Sequence, residues 1–325
     1  MKRKIVSAGL LLVVVMCALW WALHLYHPRR TVVANALKIS EDETMRSNEN
    51  EIQSDLPMKY MVMLDNCPEM KSSFKGYGSG AYLREAFLLF GSILAEEDEI
   101  QIFPGATASE TKSSSYDISG GMDLQEIKSV VNQIPYITEN PSSFLVNEWV
   151  RKAMDAAEAA KEKANVRILA ICCHNHKKQL SQNDFSAFPM ELISDALEFS
   201  EEYAADDCII EAKAFPQAMF RATPYLMLQQ ESDLMTDHFT LSFPAPTDQF
   251  SIVLQSTFPE VIFAGQRYTY EGLILPGGSI LYQIYMDAPV EEVEIFLNKK
   301  ENQQIQIIYP MNSAASDKQL VLREE

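Results

Sequence analysis

Apolar positions change their period along this chain, and each change marks a different kind of segment. Ile5 to Tyr26 is apolar or neutral throughout. Residues 31–57 are polar and poor in aromatics, the pattern of a flexible stalk. From Lys59, short apolar runs alternate with helical periods. The runs Tyr60–Leu64, Ile100–Phe103, Arg167–Cys173 and Cys208–Ala214 predict strands. Helical spacing predicts helices over Tyr82–Ala95, Asp123–Gln133, Leu145–Ala164 and Met190–Tyr203, and a Ser-rich loop covers Thr107–Ser115. Arg167–Cys173 is apolar without alternation, as suits a central parallel strand covered on both faces. Strands alternating with helices of this length predict a doubly wound parallel α/β sheet over residues 58–230.

From Asp237 the period shortens to two. The runs His238–Phe243, Gln249–Ser256, Glu260–Phe263, Arg267–Leu275, Ser279–Met286, Val290–Leu297 and Gln303–Tyr309 are punctuated by Pro and Gly. They predict a small all-β sandwich over residues 237–325, ending in a loose tail with one weak strand, Gln319–Leu322. Pro216 and Pro224 place the boundary near residues 216–237, but Phe220, Tyr225, Leu226 and Met227 predict that this connector packs against a domain.

The amino-terminal run is long enough to cross a bilayer, which takes roughly 20 residues. Trp20, Trp21 and Tyr26 lie near one end of it, where amphipathic rings favour the interface. Residues 1–30 are therefore expected to be a retained signal anchor. Cleavage after Ala34-Asn35-Ala36, a small-x-small pattern, is the alternative. Either reading places the rest of the chain outside the cytoplasm. The first 30 residues hold five basic residues and no acid. The remainder has 22 Lys and Arg against 45 acids, a net charge of −23. A field of that sign disfavours nucleic acid and anionic lipid as partners. The five Cys (17, 67, 172, 173 and 208) fit neither a disulfide scaffold nor a C-x-x-C zinc ribbon.

Candidate chemistry collects at the carboxyl ends of the predicted parallel strands, where open α/β sheets bind ligands. The first strand runs into Asp65-Asn66-Cys67-Pro68-Glu69. Pro141-Ser142-Ser143 precedes the longest helix, and Cys173-His174-Asn175 follows the central strand. These segments, the run from Asp123 to Lys128 and the order of elements over about residues 58–215 resemble the von Willebrand factor A domain family. In that family the first strand ends in D-x-S-x-S. A hydroxyl residue before the long helix and an Asp after the central strand complete a Mg²⁺ site, through which a partner's carboxylate is bound. The resemblance implies a binding or adhesion role for the face carrying Asp65, Cys67, Glu69, Ser142, Ser143 and His174. Cys67 and Glu69 stand where the motif has Ser, and His174 where it has Asp. The expectation is therefore a degenerate metal-ion-dependent adhesion site without Mg²⁺, no cofactor, no enzyme activity, and a protein or surface ligand as partner.

Other readings of the same residues stay open. Asp65, Cys67, Cys173 and His174 form a tetrahedral Zn²⁺ set by ligand type, with His176 as a spare. Cys67 and Cys173 are a candidate disulfide. A thiol of Cys67 or Cys173 with His174 is a candidate nucleophile pair for an α/β enzyme. Structural roles are equally available: Asp65 as an acceptor for loop amides, the two Ser as helix caps and the Cys as small apolar residues.

Overall fold

A computed structural model of the chain describes residues 56–67, 81–105, 115–136, 145–172, 176, 179–180, 188, 190–194, 226–234, 236–255, 257–299, 303–310 and 320–324. The amino-terminal apolar run, the Ala34–Ala36 pattern, nearly all of the stalk and the predicted strand Cys208–Ala214 lie outside them. Among the described residues no helix is long and apolar enough to cross a membrane.

The first half is built on β1 (Met58–Leu64), β2 (Glu99–Pro104), β3 (Tyr116–Ser119), β4 (Asn165–Cys172) and β5 (Met190–Ser194). Their order is β3-β2-β1-β4-β5. The strands β2, β1, β4 and β5 are parallel, while β3 runs antiparallel at one edge. The sheet is thus mixed where the sequence predicts a parallel one. Direction of winding reverses between β1 and β4, as in doubly wound folds.

Helices α1 (Ala81–Gly91), α2 (Leu124–Gln133) and α3 (Val146–Ala160) pack on the sheet. Side chains alternate across a strand, and β1 divides accordingly. Tyr60, Val62 and Leu64 join a cluster with residues of α1 and α2. Met61 and Met63 join Trp149, Val150, Ala153 and Ala157 of α3. Helix α2 starts at a capping box. The Asp123 carboxylate accepts from the backbone N–H groups of Gln125 and Glu126 at 2.8 and 2.9 Å, and Glu126 accepts from the Asp123 N–H at 3.0 Å. Helix α3 lacks a side-chain cap at Leu145. Its hold comes from its apolar stripe and from Trp149, whose indole N–H donates to the Phe103 carbonyl at 2.8 Å.

Met190–Ser194 is a strand, not the start of the predicted helix over Met190–Tyr203. Its residues Met190 to Ser194 align in parallel with Ile168 to Cys172 of β4. An open strand edge beside β4 outweighs a helical period of modest length.

The second half comprises β6 (Leu226–Leu234), β7 (His238–Leu254), β8 (Pro259–Phe263), β9 (Gln266–Thr269), β10 (Gly272–Ile274), β11 (Ile280–Leu297), β12 (Gln303–Pro310) and β13 (Val321–Glu324). They form an antiparallel sheet of order β6-β12-β7-β11-β8-β9, with β10 on β11 and β13 on β7. The chain is therefore an α/β part followed by a β-rich part. Strand β6 lies in the apolar connector, and it pairs with β12.

Four predicted runs merge into the two long strands β7 and β11. Both strands bend at their middles. Phe243 and Phe250 of β7 are seven residues apart, about 23 Å along a straight strand, yet their ring centroids lie 5.1 Å apart. The register with β11 shifts around Val290, opposite Thr247. Pro244, Pro246 and Pro289 fall in these bends, where bulges tolerate a missing donor. Each bent strand contributes its two ends to the same buried cluster, so the sheet closes over its own core.

The two halves share a second cluster. Val253, Leu273, Leu275, Leu281 and Ile308 of the β-rich part pack with α1 and with Val62 and Leu64 of β1. Leu83, Ala86, Phe87, Leu88, Leu89 and Phe90 of α1 are all buried. A helix covered on most sides needs apolar residues around most of its circumference, and in α1 Arg84 and Glu85 are only half-buried. Polar contacts then fix the junction. The Ser92 carbonyl accepts from Ser251 Oγ at 3.1 Å and from Gln283 Nε2 at 3.0 Å. The Leu94 carbonyl accepts from Gln249 Nε2 at 3.1 Å.

Candidate functional site

Asp65 is the first residue past β1. Its N–H donates to the Ile171 carbonyl of β4 at 2.8 Å, so it stands at the point where the winding reverses. The Leu64 carbonyl accepts from the Gly105 N–H at 2.9 Å, which ties the end of β2 to the same place.

The Asp65 side chain is fully buried and its two oxygens have different duties. Oδ1 accepts from the Cys67 N–H at 3.0 Å, a turn closed by an aspartate two residues earlier. Oδ2 lies 2.7 Å from Nδ1 of His176, a residue 111 positions away. A buried carboxylate is costly unless paired and hydrogen-bonded, and this one is both. Asn66, also buried, donates from Nδ2 to the Pro135 carbonyl at 2.9 Å. Three chain segments thus meet at one end of the sheet: the turn after β1, the residue after α2 and the residue beyond β4.

Cys67 is 2% exposed, and the His176 side chain is 16% exposed. One donor atom from each of Asp65, Cys67 and His176 lies within 4.8 Å of the other two. Of the residues expected to form the site, Asp65 and Cys67 are brought together. Glu69, Ser142, Ser143, Cys173 and His174 lie outside the described residues. His176, a spare in the sequence reading, is the His that meets Asp65. Its signal in the sequence was its place a few residues past the carboxyl end of the central strand. That His176 turns toward Asp65 depends on the path of the chain beyond Cys172, and spacing does not encode that.

Cys67 and Cys172 are both buried. Cys173, the other half of the candidate Cys67–Cys173 bridge, lies outside the described residues. Cys67 packs on the α1 and α2 side of the sheet, whereas Cys172 packs on the α3 side. Cys172 belongs to the same buried cluster as Met61, Met63 and Trp149, as a small apolar residue can.

The donor set constrains any ion. Mg²⁺ takes oxygen ligands in near-octahedral geometry, and a thiol, an imidazole and one carboxylate do not fit it. The same three groups are ordinary ligands for Zn²⁺. As a nucleophile, the Cys67 sulfur would have to reach a substrate from a buried position.

No family model matches the chain, and no curated protein does. Among solved structures, a von Willebrand factor type A protein from Catenulispora acidiphila aligns at 7% identity over 83% of this chain and 63% of its own, with a TM-score of 0.28. The human COPII-coat protein Sec24c aligns at 8% identity over 82% of this chain and 44% of its own, with a TM-score of 0.26. The pilus adhesin SpaC from Lactobacillus rhamnosus GG aligns at 12% identity over 84% of this chain and 43% of its own, with a TM-score of 0.27. The chain spans less than two thirds of the length of each of these neighbours.

Proposed function

We propose that this chain is an exported, membrane-tethered binding protein with a von Willebrand factor A-like α/β part. It recognises a protein or surface ligand through the face at the carboxyl ends of its parallel strands. The observation that carries this reading is Asp65. It is buried at the end of β1, hydrogen-bonded to the turn that follows and paired with His176 across 111 residues. Its two oxygens organise loops rather than face solvent, which suits a preformed recognition surface. The Mg²⁺ chemistry of the resembled family does not fit these donors, so recognition does not run through Mg²⁺. The closed Cys67 sulfur supports a binding role over a catalytic one. The amino-terminal apolar run supports tethering, and the acidic balance supports a partner other than nucleic acid.

Photo-cross-linking in the native membrane tests this. A photoreactive residue placed at Glu69, Ser142 or Ser143 of the full-length chain is expected to capture one discrete partner. The same residue at Glu260 or Arg267, on strands β8 and β9, is expected not to. Adducts only from β8 and β9 would move the binding surface elsewhere. Turnover of a substrate, lost on Cys67→Ser, would replace the binding reading with an enzymatic one.

A further inference from the structure

We propose that Asp65, Cys67 and His176 form a thiolate–imidazole–carboxylate site for a soft divalent ion of the zinc type. The inference concerns the same end of the sheet as the proposed binding face but does not depend on a partner. Three observations carry it together. The donor atoms converge within 4.8 Å of one another. Asp65 and Cys67 share one turn, but His176 comes from 111 residues away, so adjacency alone does not explain its meeting them. Asp65 and Cys67 are buried, which removes bulk water as a competitor for the ion.

The distances suit the ion with small adjustments. Bond lengths of about 2.0–2.3 Å in a tetrahedron place ligand atoms about 3.3–3.7 Å apart. The Asp65–His176 contact of 2.7 Å must open by about 0.6 Å to reach that range, while looser contacts close. A side-chain rotation supplies such a change. The ion then takes the place of two protons. One lies between Oδ2 of Asp65 and Nδ1 of His176, and the other is on the Cys67 thiol. The thiol proton is released to solvent, while the proton leaving Nδ1 is replaced by one on Nε2, so the ring stays neutral and one proton is released net.

The surroundings already do what outer-shell groups do at metal sites. Oδ1 of Asp65 is occupied by the Cys67 N–H, which orients the carboxylate and leaves Oδ2 to the ion. The Asp65 N–H is fixed to β4, and Asn66 is fixed to Pro135. Cys67 stands where the resembled motif has its first Ser, and the imidazole of His176 arrives from beyond β4. Hard-ion chemistry has been exchanged for soft-ion chemistry at one end of the same sheet. The three donors fill three tetrahedral positions, and the fourth takes a further ligand.

The test uses full-length protein, stripped of metal and titrated with Zn²⁺ or Co²⁺. One equivalent is expected to bind. The Co²⁺ form is expected to show a thiolate-to-cobalt charge-transfer band and the intense visible bands of tetrahedral cobalt. Cys67→Ser should abolish the charge-transfer band. His176→Gln should weaken binding by at least about tenfold. Cys172→Ser, on the opposite face of the sheet, should leave the spectrum unchanged. X-ray absorption on unmutated Zn²⁺-loaded protein provides a second measurement that does not depend on how Cys67→Ser folds. One sulfur at about 2.3 Å with nitrogen and oxygen at about 2.0–2.2 Å is expected. No stoichiometric uptake, a spectrum indifferent to Cys67→Ser, or a shell of six oxygens would each overturn the proposal.

Discussion

Replacing Asp65 by Ala should be among the most damaging single changes at the carboxyl end of the sheet. The carboxylate is fully buried and accepts from the Cys67 N–H at 3.0 Å, with His176 Nδ1 at 2.7 Å. Alanine strands both donors. A buried donor without its partner costs about 1–3 kcal/mol. Two such losses, less the relief of no longer burying a carboxylate, leave a net cost of about 3 kcal/mol. For a chain of this size unfolding in one step, that lowers Tm by roughly 4–5 °C. Asp65→Asn separates the parts of this sum. Its amide oxygen still accepts from the Cys67 N–H. Its NH₂ can donate to Nδ1 once His176 carries its proton on Nε2. Only charge assistance is lost, at about 1 kcal/mol. Urea denaturation of metal-free protein, followed by circular dichroism, gives both numbers. If Asp65→Ala falls within about 0.5 kcal/mol of wild type, the carboxylate does not organise these loops. If Asn is as damaging as Ala, the hydrogen-bond reasoning fails.

The junction around Ser92 should make the two halves unfold together. Calorimetry of the full-length chain is expected to give a single transition, and two resolved transitions would contradict the shared cluster. Gln283→Leu removes one of two side-chain donors to the Ser92 carbonyl and should cost about 1 kcal/mol; combined with Ser251→Ala the loss should exceed the sum of the two, read from urea midpoints. Burial raises the Glu85 carboxyl above its ordinary value. Its folded form therefore holds a proton more readily than its unfolded form, and stability falls as pH rises from the ordinary carboxylate range through the raised value. Glu85→Gln should remove that loss, raising stability at pH 7 with little change at pH 4; equal effects at both pH values would refute it. Trp149→Phe leaves the Phe103 carbonyl without its indole donor and should cost about 1–3 kcal/mol by the same urea assay. Mass spectrometry of the membrane fraction should find residues 1–30 retained; a mature chain starting at Leu37 would show cleavage instead.

Much of the α/β part is legible in the sequence because its signals are local. The buried residues of β1 and β4 are apolar on both faces, and α2 announces itself through Asp123 and Glu126 three residues later. Strand β3 escapes such reading. Its four residues Tyr116-Asp-Ile-Ser119 hold one fully buried side chain, Ile118, and their pairing with β2 makes the strand. Strand β5 escapes because Leu192, Ile193, Ala196 and Leu197 also satisfy a helical period, and the deciding interaction is with β4. Prolines suggested breaks in β7 and β11, where they mark bends within continuous strands. At the site, Asp65 and Cys67 were legible from one strand end. The choice of His176 was not, because it depends on the path of the chain beyond Cys172. The apolar connector around Leu226 and Met227 predicts packing against a domain, and the structure pairs these residues with β12.

The central claim is that the Asp65–His176 contact joins the turn after β1 to the segment beyond β4. Nitrogen-15 NMR of the imidazoles in metal-free, full-length protein tests it most directly. The chain has five His, and His176→Gln assigns the signal. The account predicts a proton on Nδ1 of His176, slow to exchange and shifted by a strong hydrogen bond, which moves to Nε2 in Asp65→Asn. An unprotonated Nδ1, or a ring that titrates and exchanges like a solvated histidine in both proteins, would contradict it.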